Sequence, residues 1–209
     1  MELEIRQDRD DPVDNYRVHS QGRLLFRAQR SIYRSIRQET IVRSPTGEEV
    51  LRIDPHFYLI RPAYDVRWGE RLLAFRMESW LQSVYSLAGG GEAYTIFAHR
   101  SLQPKYSIFV AGSQVAAIVR RPFSMRESDF FRVVYVEPAE PALLVAIALI
   151  FDRIGGSANN AFASYHGLAT WFQARRFDES WLERHRERSA RREAPSAAPD
   201  REHASADIW

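Results

Sequence analysis

The chain has no cysteine among its 209 residues. That absence removes disulfides, thiolate catalysis and cysteine-based metal sites together, and it fits a reducing compartment. Lysine is nearly missing too. Lys105 is the single one, and arginine supplies the rest of the positive charge. The plainer reading of that bias is a genome of skewed base composition; the functional one is phosphate recognition, because an arginine fork binds phosphate oxygens bidentately. The formal net charge is only +2, so bulk charge makes no case for nucleic acid. The N-terminus, Met-Glu-Leu-Glu-Ile-Arg-Gln-Asp, is acidic and has no apolar h-region, so no secretory signal is expected. No apolar run approaches the roughly 20 residues that span a bilayer. These absences together predict a cytoplasmic protein without a transmembrane span.

What the chain does have is one wholly apolar stretch. From Ala142 to Phe151 it reads Ala-Leu-Leu-Val-Ala-Ile-Ala-Leu-Ile-Phe. A helix that is hydrophobic all round must be buried on all sides, so whatever precedes it is expected to wrap around it. Pro141 suits the first helical turn, where its missing N–H costs nothing. Asp152 and Arg153 stand at the wet end, and Gly155-Gly156 is expected to stop the helix. The predicted helix covers 141–154.

About ten to twelve short β-rich runs come before it, spaced at the intervals of an all-β barrel or sandwich. Gln21-Gly22, Ser44-Pro-Thr-Gly47, Trp68-Gly69-Glu70, Gly89-Gly90-Gly91 and Ala111-Gly112-Ser113 mark turns between them. Ser31 to Arg37 and Phe57 to Ile60 also read as β-rich. Residues 1–14, rich in Asp and Arg, read as a loose lead-in, so the barrel is expected over 15–156. Residues 157–189 read as a helical extension, with Ser180 and Glu183 resembling a capping box. Residues 190–209 have few apolar anchors and read as disordered.

Ser20 to Arg27, Ile41 to Ile53, Tyr106 to Val119 and Leu143 to Asp152 together order short glycine-turned hairpins ahead of one hydrophobic helix ending in Asp. That order resembles the tubby C-terminal-like superfamily, and within it the LURP-one-related and phospholipid-scramblase-like proteins, over about residues 14–156. The resemblance implies a mainly β fold: a closed antiparallel barrel of about twelve strands around a central hydrophobic helix, here with a helical C-terminal extension. It also implies a non-enzymatic binding module, and tubby proteins contact phosphoinositide headgroups through lysine and arginine. The cysteine-rich segment and the acidic calcium stretch of the scramblases have no counterpart. Arg-Ile-Gly-Gly-Ser-Ala-Asn-Asn follows Asp152, which speaks against calcium-driven lipid scrambling.

Tests for chemistry are negative. The triple glycine is followed by β-rich sequence rather than a helix, so it is a hairpin and not a phosphate cradle. The six histidines lack metal-binding spacing and each reads as surface or half-buried. No G-x-S-x-G is present. The acidic segment Asp8 to Asp14 has Val13 and His19 where a calcium loop needs glycine and glutamate. No cofactor or metal is expected.

Two groups of residues remain as contact sites. Arginines 23, 27, 30, 34, 37 and 43 crowd the first hairpins. A basic face around Arg30, Arg34 and Arg37, with Arg120 and Arg121 as a smaller group, suits lipid phosphates; the plainer reading is polar-out alternation. Trp171, Phe172 and Trp181, near Arg175 and Arg176, have the composition of an interfacial helix; the rival reading is a helix docked on the barrel wall or on a partner. The expected partner is anionic phospholipid at a membrane surface, with a protein–protein scaffold acting through the C-terminal aromatics as the alternative.

Overall fold

The structure is a computed structural model that describes residues 1–8, 15–31, 39–56, 62–79, 81–99, 103–121, 130–156 and 175–193. Twelve strands form one closed antiparallel barrel. They are β1 (Glu2–Asp8), β2 (Asn15–Ser20), β3 (Arg23–Arg30), β4 (Thr40–Arg43), β5 (Glu49–His56), β6 (Ala63–Trp68), β7 (Arg71–Ser79), β8 (Val84–Gly89), β9 (Glu92–His99), β10 (Lys105–Val110), β11 (Ser113–Arg121) and β12 (Phe130–Tyr135). Each pairs with its neighbour in sequence, and β1 closes the ring on β12 with Ile5 opposite Phe131. Closure leaves no exposed sheet edge. Helix α1 (Pro141–Gly156) follows the barrel, and helix α2 (Glu179–Glu193) comes last.

The expected architecture is present, with corrections at its margins. Residues 2–8 are not a lead-in but strand β1, whose Leu3 and Ile5 are fully buried. The pattern Glu-Leu-Glu-Ile-Arg is itself alternating; its charged half faces out and only two apolar residues face in. Helix α1 runs through Gly155-Gly156 instead of stopping before them, because a glycine costs a helix only about 1 kcal/mol. Helix α2 reaches Glu193, so 190–193 is helical and not part of a disordered tail. The cap of α2 is Asp178 and not Ser180. Its Oδ1 accepts the Trp181 amide at 2.9 Å and the Ser180 hydroxyl at 2.6 Å, which is what an N-cap carboxylate does. Ser31 to Arg37 and Phe57 to Ile60 lie mainly or wholly outside the described residues, as do 157–174 and 194–209.

Local chemistry explains the hairpins. Gln21-Gly22 and Ala111-Gly112 hold positive φ at both positions, 52° and 72°, then 48° and 80°. Two such residues make the turn whose twist matches the strands it joins. At Gly89 the reason is space: φ is 139°, and a Cβ there would meet the Leu72 carbonyl oxygen on the neighbouring strand.

Inside the barrel, the residues from Leu143 through Ala148 are each 0% exposed, so α1 is enclosed on every side. The enclosing side chains include Ile5, Val18, Val66, Leu73, Phe75, Leu87, Ile96, Ile108, Ile118 and Val133. Near its end Phe151 stacks on Tyr106 at 4.0 Å and meets Phe75 and Tyr85 edge-on at 5.6 and 5.0 Å. The barrel's two ends differ. Short turns such as 21–22, 69–70 and 111–112 close one end, where α1 begins. The longer connections join strands at the other end, where Asp152 stands in the last turns of α1.

Candidate functional site

Asp152 is the one acidic residue of α1, and it is buried, at 8% exposure. An ionised carboxylate there needs partners, and three elements supply them. Tyr16 at the start of β2 donates its hydroxyl to Oδ2 at 2.6 Å. Arg120 near the end of β11 places Nη2 3.1 Å from Oδ1. Arg30 at the end of β3 places Nη2 3.7 Å from Oδ2 and donates to the Tyr16 oxygen at 3.3 Å. The Arg30 guanidinium lies over the Tyr16 ring and that of Arg120 over the Phe131 ring, at 5.9 and 5.5 Å.

A third arginine follows Asp152 in the chain. Arg153 lies over the Tyr64 ring at 5.9 Å. Burial pulls its pKa below the ordinary value, the neighbouring Tyr64 offsets part of that, and repulsion from Arg30 adds to it. Burial pushes the Tyr64 phenol up. The negative end of the α1 dipole and the Asp152 carboxylate both draw guanidiniums inward. The result is two guanidiniums on one carboxylate, with Arg153 close enough to Arg30 to be repelled by it, at the end of the barrel from which the helix emerges. Such a cluster has positive charge in excess. Among the described residues no group of three or more His, Asp or Glu is placed to hold a metal.

Of the arginines picked from the sequence, Arg30 and Arg120 are thus brought together around Asp152, with side chains 14% and 19% exposed. Arg121 follows on β11 opposite Phe130 of β12. Arg34 and Arg37 lie outside the described residues, in the connection from β3 to β4. The apolar-aromatic group divides likewise. Trp171 and Phe172 lie outside the described residues. Trp181 is on α2, 8% exposed, and packs with Leu182 on Ala117 of β11 and Val134 of β12. Lys105 pairs with Glu179, and its ammonium lies over the Phe177 ring at 5.1 Å.

His99 corrects an expectation: it is 6% exposed, not a surface or half-buried side chain. Its Nε2 meets the Ser107 hydroxyl at 2.6 Å and its ring lies edge-on to Phe177 at 5.3 Å. Burial lowers its pKa to about 4. Nothing in the spacing of His99 signals this, because Phe177 arrives from a segment far along the chain. The role of Asp152 was equally hidden, since Tyr16 lies 136 residues from it.

Protein-family comparison matches residues 1–152 to LURP-one-related. The chain belongs to the LURP-one-related family. The match begins with β1 and ends on Asp152, so it spans the barrel and most of the enclosed helix. It bears out the resemblance read from the hairpins and the terminal helix, and it places the chain among tubby-like binding modules. No curated protein and no solved structure matches the chain. For this LURP-one-related chain, no helix among the described residues is long and apolar enough to cross a membrane.

Proposed function

We propose that this LURP-one-related protein is a non-enzymatic, cytoplasmic binding module that sets the helix-exit end of its barrel against anionic phospholipid at a membrane surface. The observation that carries the reading is the charge excess of one cluster there: Arg30 and Arg120 both pair with the single carboxylate of Asp152, and Arg153 follows it in the chain. An anionic surface attracts clustered arginines at about 1 kcal/mol each, within a Debye length. Arg34, Arg37 and Arg121 belong by chain position to connections and strand ends on the same side, and they are the proposed direct contacts. Arg30 and Arg120 supply field while remaining paired with Asp152.

Flotation with neutral and with phosphoinositide-containing vesicles, at low and high salt, tests this. The full chain is expected to float only with anionic lipid, to lose flotation at high salt, and to weaken in Arg34→Ala/Arg37→Ala. Absence of flotation at both salts overturns the membrane reading.

A further inference from the structure

Of the chain's 29 lysine and arginine residues, only Lys105 is a lysine. It opens β10, opposite His99 of β9 and Val119 of β11. The next residue, Tyr106, faces the core, so alternation turns Lys105 outward. There it meets the segment that leads into α2. Its ammonium pairs with Glu179 in the first turn of α2 and lies over the Phe177 ring at 5.1 Å. Arginine serves both kinds of contact at least as well, because a planar guanidinium forks a carboxylate and stacks on an aromatic face. The same chain does this elsewhere: Arg71 lies over the Trp68 ring at 5.1 Å and pairs with Glu92 at 3.5 Å. What lysine adds at position 105 is a primary amine, the group that takes an acyl substituent.

The element that Lys105 holds is lightly seated. Helix α2 has 15 residues, a length that is marginal in water without packing. Among the described residues its apolar contact with the wall is made by Trp181 and Leu182 on Ala117 and Val134, with Phe177 just ahead of it. Glu179, Ser180, Glu183 and Arg184 are exposed. The ion pair and the ring contact of Lys105 are therefore a sizeable part of what fixes the start of the helix. The Lys105 side chain is 19% exposed, so the seated segment covers most of it, and local opening of α2 presents the amine to solvent. Opening also uncovers Ala117 and Val134. Helix α2 lies beyond residues 1–152, the part of the chain that matches the family.

We propose that Lys105 is an acylation site and that its modification releases α2 from the barrel wall. The co-reactant is an activated acyl group, carried as a thioester or as an acyl phosphate. The ammonium first gives a proton to solvent. The nitrogen lone pair then forms the amide C–N bond at the acyl carbon. The C–S or C–O bond breaks, its electron pair leaves on the thiolate or the phosphate, and the second nitrogen proton passes to solvent. The acylated side chain carries no charge, so it makes neither the ion pair with Glu179 nor the cation contact with Phe177. It is also larger than the amine that the seated segment covers. Reseating is disfavoured on both counts, and the open state, with Ala117 and Val134 accessible, is retained.

The test incubates the full chain with acetyl phosphate and, separately, with acetyl-coenzyme A at mildly alkaline pH. Peptide mass spectrometry then follows the Lys105 amine, with the α-amine of Met1 as internal standard. Lys105 is expected to be acetylated by at least one donor, and modification by one donor but not the other identifies the source. Trp181→Ala should speed the reaction at Lys105 about tenfold relative to the α-amine, because it favours opening. Hydrogen exchange of α2 amides should be about tenfold faster in the acetylated protein, with barrel amides unchanged. Lys105→Gln should reproduce that acceleration and Lys105→Arg, which keeps the charge, should not. All these readouts are taken without lipid, so they stand or fall separately from vesicle binding. Lys105 left unmodified by both donors in the wild type overturns the proposal, even if Trp181→Ala reacts. So does α2 exchange that acetylation and Lys105→Gln leave unchanged, or that Lys105→Arg accelerates equally.

Discussion

Helices α1 and α2 differ by one residue in length, 16 against 15, but α1 is enclosed on all sides and α2 lies on the outer wall, held by one face. Each is built for its place. Inside, every position from Ala142 to Phe151 is apolar, and the single carboxylate, Asp152, is met by Tyr16, Arg30 and Arg120. Outside, two large side chains, Trp181 and Leu182, make the apolar contact, while Asp178 caps the helix and Glu179 reaches Lys105. An enclosed helix tolerates no unpaired charge anywhere, whereas a docked helix tolerates charge everywhere except along its seam.

The largest effect should come from charging the enclosed helix. Ala146 is 0% exposed, and Ala146→Asp places an unpaired carboxylate in the core, at a cost comparable to the whole stability of a domain, roughly 5–15 kcal/mol. No cooperative unfolding transition should be seen by circular dichroism; a soluble, cooperatively folding variant would mean that the helix is not enclosed. Next comes Asp152→Ala, which strands two partly buried guanidiniums and the Tyr16 hydroxyl and should cost about 1–3 kcal/mol in urea denaturation. Adding Arg120→Met should restore part of that, since a paired charge replaced on both sides leaves no orphan. If Asp152→Ala unfolds at the wild-type midpoint, the cluster does not hold the helix end.

Trp181→Ala sharpens the comparison from the other side. It should weaken docking by about 2–3 kcal/mol and expose α2 to limited proteolysis while the barrel keeps its unfolding midpoint. Equal loss of the barrel would show that α2 is part of the core rather than an appendage. The smallest effect expected is a pH dependence at the seam. The buried His99 ring titrates at about 4 when folded, below its ordinary value near 6.5. Between those values the unfolded chain binds more protons than the folded one, so stability is complete above about pH 6.5 and falls as pH drops toward 4. Hydrogen exchange of α2 amides should accelerate over that window, because a charged His99 ring repels less well-screened Lys105 and fits poorly against Phe177. His99→Phe should flatten the profile; an unchanged slope would remove His99 as its cause.

The barrel was legible in the chain wherever its signals were local. Turn residues at Gln21-Gly22 and Ala111-Gly112 mark hairpins because positive φ is a property of two adjacent residues. Strand β1 was missed because its charged half, Glu2, Glu4 and Arg6, outweighs Leu3 and Ile5 in composition, and only pairing with both β2 and β12 makes it a strand. The cap of α2 was placed two residues late because Ser180 and Asp178 are both cap formers, and geometry alone chooses between them. The Asp152 cluster was not legible at all: its arginines were visible as arginines, but not as partners of one buried carboxylate.

By itself the sequence determined that a wholly apolar helix of this chain would be surrounded, and that short turned strands would do the surrounding. Both follow from periodicity and burial, which act between residues close in sequence. Only the tertiary structure decided which arginines turn inward to Asp152 and which strand closes the ring. Those choices depend on strand register and barrel closure, in which residues more than a hundred positions apart become neighbours, and no local pattern encodes that distance.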